Sequence, residues 1–134
     1  MTPAARAWIL RANALFLLIA GAGGLWTDVA GSFFGTGVEV AILKDAPGAG
    51  IGFIKAHGLA LILGALLWRA EPLRSWHLAA AAVHALLGSA NLAFWDFFVV
   101  ADVLVVGYVT TALHGLFVAL QLTAAFAAPA RDSG

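Results

Sequence analysis

Along the chain, long apolar runs alternate with short clusters of charge. Four runs are long enough, or nearly so, to cross a hydrocarbon layer about 30 Å thick. They cover residues 7–26, 51–68, 75–95 and 103–128. Four spans are too few to close a β-barrel, and lipid cannot satisfy open backbone, so each run is expected to be an α-helix. The pattern predicts an all-α, integral membrane four-helix bundle of up-down-up-down topology, with residues 1–134 as one transmembrane domain. Composition agrees: 63% of residues are hydrophobic and only 10% charged, too few to coat a soluble domain of this size.

The charges then orient the bundle. Arg6, Arg11, Arg69, Arg74 and Arg131 fall at one side of the predicted membrane, whereas Asp28, Glu39, Asp45, Asp96 and Asp102 fall at the other with Lys44 and Lys55. The positive-inside rule places both termini in the cytoplasm, and Trp8, Trp26, Trp68, Trp76 and Trp95 mark the helix ends at headgroup level. Arg6 and Arg11 followed by "ALFLLIAGAGG" have the look of a signal peptide, but the segment is expected to stay as the first span. Arg11, inside that span, should snorkel to the inner headgroups.

The connections "RAEPLR" and "DFFVVA" are short, so the second and third helices, and the third and fourth, are expected to be antiparallel neighbours. The first connection, residues 27–50, is long, glycine-rich and partly apolar. It is expected to lie outside, on the bundle or in the interface, with a short helix or strand.

Each predicted helix carries a polar residue followed by a small residue and leucine: Asn13-Ala14-Leu15, His57-Gly58-Leu59, His84-Ala85-Leu86 and His114-Gly115-Leu116. Ionisable groups are rare at that depth and mark function or pairing. From a rise of 1.5 Å per residue, His57 lies about 16 Å and His84 about 14 Å from the inner helix ends, and with His114 near the middle of its span the three are expected at one level. Heptad spacing places His77, His84 and Asn91 on one stripe, Gly107, His114 and Gln121 on another beside Thr110 and Thr111, and Gly50, His57 and Gly64 on a third. Lipid would leave such groups unpaired, so the stripes should face inward.

Three readings of these imidazoles are open. They can knit helices together through interhelical hydrogen bonds, as in a non-catalytic membrane subunit or scaffold. They can hold a ligand, since neutral imidazole binds haem iron and Zn. Haem b suits the pattern first and a quinone second, with His57 and His114 as iron ligands and His84 nearby. Gly58 and Gly115 would let a flat macrocycle approach, and Asn91 and Thr111 would complete the site. A Zn site would need His57, His84 and His114 to converge. The third reading is a proton-linked transport component, with Asp96, Asp102 and Lys55 at its outer mouth. Against it, no carboxylate is expected deep in any span.

Other classes fall away. The chain has no cysteine, so thiolate metal sites and disulfides are excluded. No nucleophile triad, HExxH or phosphate-binding loop is present, and the basic residues form no nucleic-acid patch. "GAGG" and "GAGIG" read as helix-packing surfaces, which also make a homo-oligomer or a membrane redox partner plausible. His77, beside Trp76, reads as a headgroup contact. Lys55 should snorkel outward or pair with Asp96 or Asp102. The Ala- and Gly-rich composition fits a GC-rich bacterial genome, and hence the plasma membrane.

The layout resembles the small DoxX-like bacterial membrane proteins. The resembling stretches are "RANALFLLIAGAGGLW", a long external loop, "GIGFIKAHGLALILGALL", "WHLAAAAVHALLGSANLAFW" and "GYVTTALHGLFVALQL". Some members are linked to quinone-dependent oxidation, so the resemblance implies a membrane redox context without assigning a role to any residue.

Overall fold

A computed structural model describes residues 1–127. The expected end of the last span at Ala128, and Arg131, lie outside the described residues. Within them the chain is helical throughout: α1 (Pro3–Phe34), α2 (Val40–Asp45), α3 (Ala49–Arg69), α4 (Arg74–Ala93), α5 (Asp96–Val100) and α6 (Leu104–Phe126). α1, α3 and α6 are long and apolar enough to cross a membrane, which marks a membrane protein. α4 is as long, but His77, His84 and Asn91 make it less apolar.

α1 is far longer than its apolar run suggests. Thr2 caps it by accepting from the Ala5 N–H at 3.2 Å, and Pro3 occupies its first turn, where no intrahelical donor is needed. It continues to Gly35, whose φ of +63° ends the helix in the left-handed conformation glycine adopts without cost. Its 32 residues span about 48 Å at 1.5 Å per residue. The external segment expected over residues 27–50 therefore shrinks: its first part is helix, and Asp28 belongs to α1 rather than to a loop. The connection "DFFVVA" likewise holds a helix, α5.

The helices pack in two pairs, α1 with α3 and α4 with α6. The expected pairing of the third and fourth runs is thus present as α4 with α6. That of the second and third is not, because α3 lies along α1 although only a short link joins it to α4. Small residues explain the choice. A Cβ on Gly21 would meet the His57 carbonyl and Leu61 at 3.0 Å, and one on Gly64 would meet Leu18 at 3.0 Å and the Ala14 carbonyl at 3.1 Å. Such contacts let backbones approach, which drives helix association where there is no hydrophobic gain over lipid. "GAGG" is a packing surface as expected, through Gly21 and Gly24; Gly23 faces open space.

Arg11 does not reach for headgroups. Its guanidinium donates to the Leu67 and Ala70 carbonyls at 2.8 and 3.1 Å, satisfying the exposed C-terminal carbonyls of α3. A small core of Leu10, Ala14, Leu17, Leu67, Ala70 and Ala80 links the two pairs. The outer surface is apolar, with Trp8, Ile19, Trp26, Leu59, Leu86 and Val105 all exposed.

Candidate functional site: two buried polar clusters

The first cluster lies between the helix pairs. His77 and His84 on α4, His114 and Gln121 on α6, and Asn13 on α1 are all buried. The two heptad stripes meet as antiparallel rungs: His77 bonds Gln121, and seven residues along α4 His84 bonds His114. One further heptad on, Asn91 donates to Thr110 and Thr111 at 3.2 and 3.1 Å. His77 is therefore an interior residue, correcting its reading as a headgroup contact. Its partner, Gln121, lies on the opposite helix, out of reach of an argument from neighbours in sequence.

Asn13 ties this ladder to α1. Its Nδ2 donates to His84 Nε2 at 2.6 Å, and its Oδ1 accepts from Gln121 Nε2 at 2.7 Å. With the Asn13 and Gln121 amides oriented this way, the contacts set one direction for the protons of the row. His84 Nε2 accepts, so neutral His84 carries its proton on Nδ1 and donates to His114 Nδ1 at 2.8 Å. Gln121 Oε1 accepts from His77 Nδ1. The donors therefore all point one way: His77, Gln121, Asn13, His84, His114. His77 Nε2, the unprotonated end, is buried without a hydrogen-bond partner. Phe16 and Phe117 flank the other end, with centroids 5.8 and 5.0 Å from the His84 ring.

His57 is elsewhere. Its Nδ1 contacts Asp28 Oδ2 at 2.7 Å, and its ring lies over Gly24, where a Cβ would come within 2.2 Å of Cδ2. Phe16 touches the His84 and His114 rings, whereas Gly24 touches His57, so the two levels differ by eight residues of α1, or roughly 12 Å. The expectation of one shared level fails because the helix pairs are staggered: equal offsets from helix ends do not give equal heights. His57 and His114 consequently do not face each other as ligands of one iron, and the three imidazoles do not converge as a Zn site would require. Among the described residues, no group of three or more His, Asp or Glu side chains is placed to hold a metal ion. Gly58 and Gly115 face open space, while Gly88 sits under His114, where a Cβ would meet His114 Cβ at 3.2 Å.

The second cluster is Asp28, Glu39, Thr27 and His57. Asp28 is fully buried and Glu39 is 3% exposed. Glu39 precedes α2 and lies across α1 at Gly31, with its Oε1 accepting from Thr27 Oγ1 at 3.2 Å. Burial, and next the neighbouring Asp28 carboxyl, push the Glu39 carboxyl up from 4.5 to about 7. Leu43 of α2 fills the gap between Gly31 and Gly50. The sequence did carry a signal for Asp28: Leu10, Ala14, Leu17, Gly21, Gly24, Asp28 and Gly31 form a three-four repeat continuing past Trp26. Lys55, Asp96 and Asp102 are exposed. The remaining opening of note is a shallow cavity of about 430 Å³ lined by Leu92, Trp95, Tyr108, Thr111 and Ala112.

Comparison of the chain with protein-family models, curated proteins and solved structures gives no match.

Proposed function

We propose that this protein is a four-span subunit or scaffold of the bacterial plasma membrane, without catalytic activity of its own, with both termini cytoplasmic. In this reading its interior His, Asn and Gln residues serve to hold α1, α4 and α6 together. The observation that carries it is the closed row from His77 to His114. Both nitrogens of His84 and both polar atoms of the Asn13 and Gln121 amides are spent on other helices. Each such bond contributes about 0.6 kcal/mol on average, and several together fix one register.

Support for a fourth span comes from α4 itself. Its 20 residues cover about 30 Å, its histidines turn inward, and Leu78, Leu86 and Leu92 lie on the exposed side. Arg6, Arg11, Arg69 and Arg74 gather at one end of the long helices, the cytoplasmic end by the positive-inside rule.

The test is an absorption spectrum of protein purified from haem-replete cells, before and after dithionite, with solvent extraction of any bound quinone. The scaffold reading expects no Soret band, no stoichiometric quinone, and a folded His114→Gln variant. A Soret band that shifts on reduction and disappears in His114→Gln would overturn it in favour of a haem-holding protein.

A further inference from the structure

The Asp28 and Glu39 carboxyl groups are neighbours beneath α2: Glu39 contacts Thr27, the residue before Asp28, and lies against Gly31, three residues after it. One oxygen of each is met, Asp28 Oδ2 by His57 Nδ1 and Glu39 Oε1 by Thr27 Oγ1, whose single hydrogen is shared with the Gly24 carbonyl at 2.8 Å. The other two, Asp28 Oδ1 and Glu39 Oε2, are buried with no hydrogen-bond partner. Two ionised carboxylates present only acceptors, and buried acceptors without donors are costly. One proton resolves both deficits: as Glu39 Oε2–H it donates to Asp28 Oδ1. His57 keeps Nδ1–H on Asp28 in either of its charge states, so it steadies the pair without supplying that donor.

We propose that Asp28, Glu39 and His57 form a proton-binding site, and that its proton fastens α2 to the α1–α3 pair. The site is built rather than incidental. Gly31 leaves room for the Glu39 side chain, Gly24 leaves room for the His57 ring, and Leu43 seats α2 directly above. Apart from Arg6 and Arg11 on α1 and Arg69 on α3, which lie towards the opposite ends of those helices, the other charged groups on the elements packed here are Lys44 and Asp45 on α2, Lys55 on α3 and Asp96 on α5. All four are exposed, and none forms a hydrogen bond or ion pair with the three residues. Loss of the proton leaves two adjacent negative charges in a site shielded from water. The segment carrying Glu39 is the shorter and less embedded partner, so it is the part that lifts, uncovering Asp28. This inference does not depend on the scaffold reading, because it concerns a different cluster.

The experiment is an infrared pH titration of the full chain in lipid nanodiscs, following the C=O stretch of protonated carboxyl groups. One such band should persist above pH 6 and disappear with a midpoint near 7. Glu39→Gln should abolish it. Asp28→Asn, whose amide can donate to an ionised Glu39, should move the midpoint down by at least one pH unit. Hydrogen exchange at the amides of residues 39–46 should rise with the same midpoint. If no protonated carboxyl band persists above pH 6, or if the band survives Glu39→Gln, the proposal is overturned. If Glu39→Gln does not fold, an unshifted midpoint in Asp28→Asn overturns it equally.

Discussion

Asn13 donates to His84 across 71 positions of sequence, a 2.6 Å contact that joins the α1–α3 pair to the α4–α6 pair. Gln121 completes the junction from α6 by donating to the same amide. Removing Asn13 leaves His84 Nε2 without its donor and Gln121 Nε2 without its acceptor, and both side chains are fully buried. Asn13→Leu should therefore cost about 1–3 kcal/mol of stability. Asn91→Ala, at a half-buried rung, should cost under about 1 kcal/mol. Reversible unfolding in mixed detergent micelles measures both, and equal losses would contradict the central place of Asn13.

Two adjacent glycines offer a sharper contrast. A Cβ on Gly24 would run into the His57 ring, whereas one on Gly23 meets nothing within 4 Å. Gly24→Ala should destabilise by about 1–3 kcal/mol through overpacking. Gly23→Ala should be neutral or stabilising by up to about 1 kcal/mol, from helix propensity alone. Their melting temperatures in detergent should straddle that of the unaltered protein.

The pH dependence follows from Glu39. In the folded protein its carboxyl holds a proton up to about pH 7, while in the unfolded chain it ionises near 4.5. Its contribution to stability is full below pH 4.5 and is lost progressively as pH rises to about 7. The protein should thus melt at a higher temperature at pH 5 than at pH 8, and Glu39→Gln should flatten that slope. Parallel slopes for the two proteins would remove Glu39 as the cause.

Arg11 gives a fourth expectation. Arg11→Met keeps much of the side-chain volume but leaves the Leu67 and Ala70 carbonyls without their donor. A loss of about 1–2 kcal/mol is expected. Local opening should concentrate at the C-terminal turn of α3, read by hydrogen exchange.

Periodicity made the inner cluster partly legible. His77, His84 and Asn91 were placed on one stripe and His114 and Gln121 on another by heptad spacing, and these stripes do meet. Which rung meets which depends on the stagger between helices, which no single helix encodes. Sequence spacing alone therefore sets His57 at the wrong height and His77 at the surface. Asp28 and Glu39 were read as loop acids because a carboxylate normally ends an apolar run. Here the helix continues for nearly two turns beyond Asp28 to reach Gly35. The cost of enclosing the carboxylate is offset by His57 of α3, a partner 29 residues further along the chain.

The one-way row from His77 to His114 also sets an order for biosynthesis. α1 emerges first, yet both partners of its Asn13 belong to helices made later, the second of them 108 residues on. Until then α1 rests on α3, through glycine contacts, the Asp28–His57 pair and the Arg11 bonds to the Leu67 and Ala70 carbonyls. The early hairpin can enter the bilayer with a single unmet amide, and the late hairpin arrives with its own ladder already formed. The polar row is complete only when the two halves dock, so a chain truncated before α6 would leave Asn13 Oδ1 and His84 Nδ1 without the partners that α6 supplies.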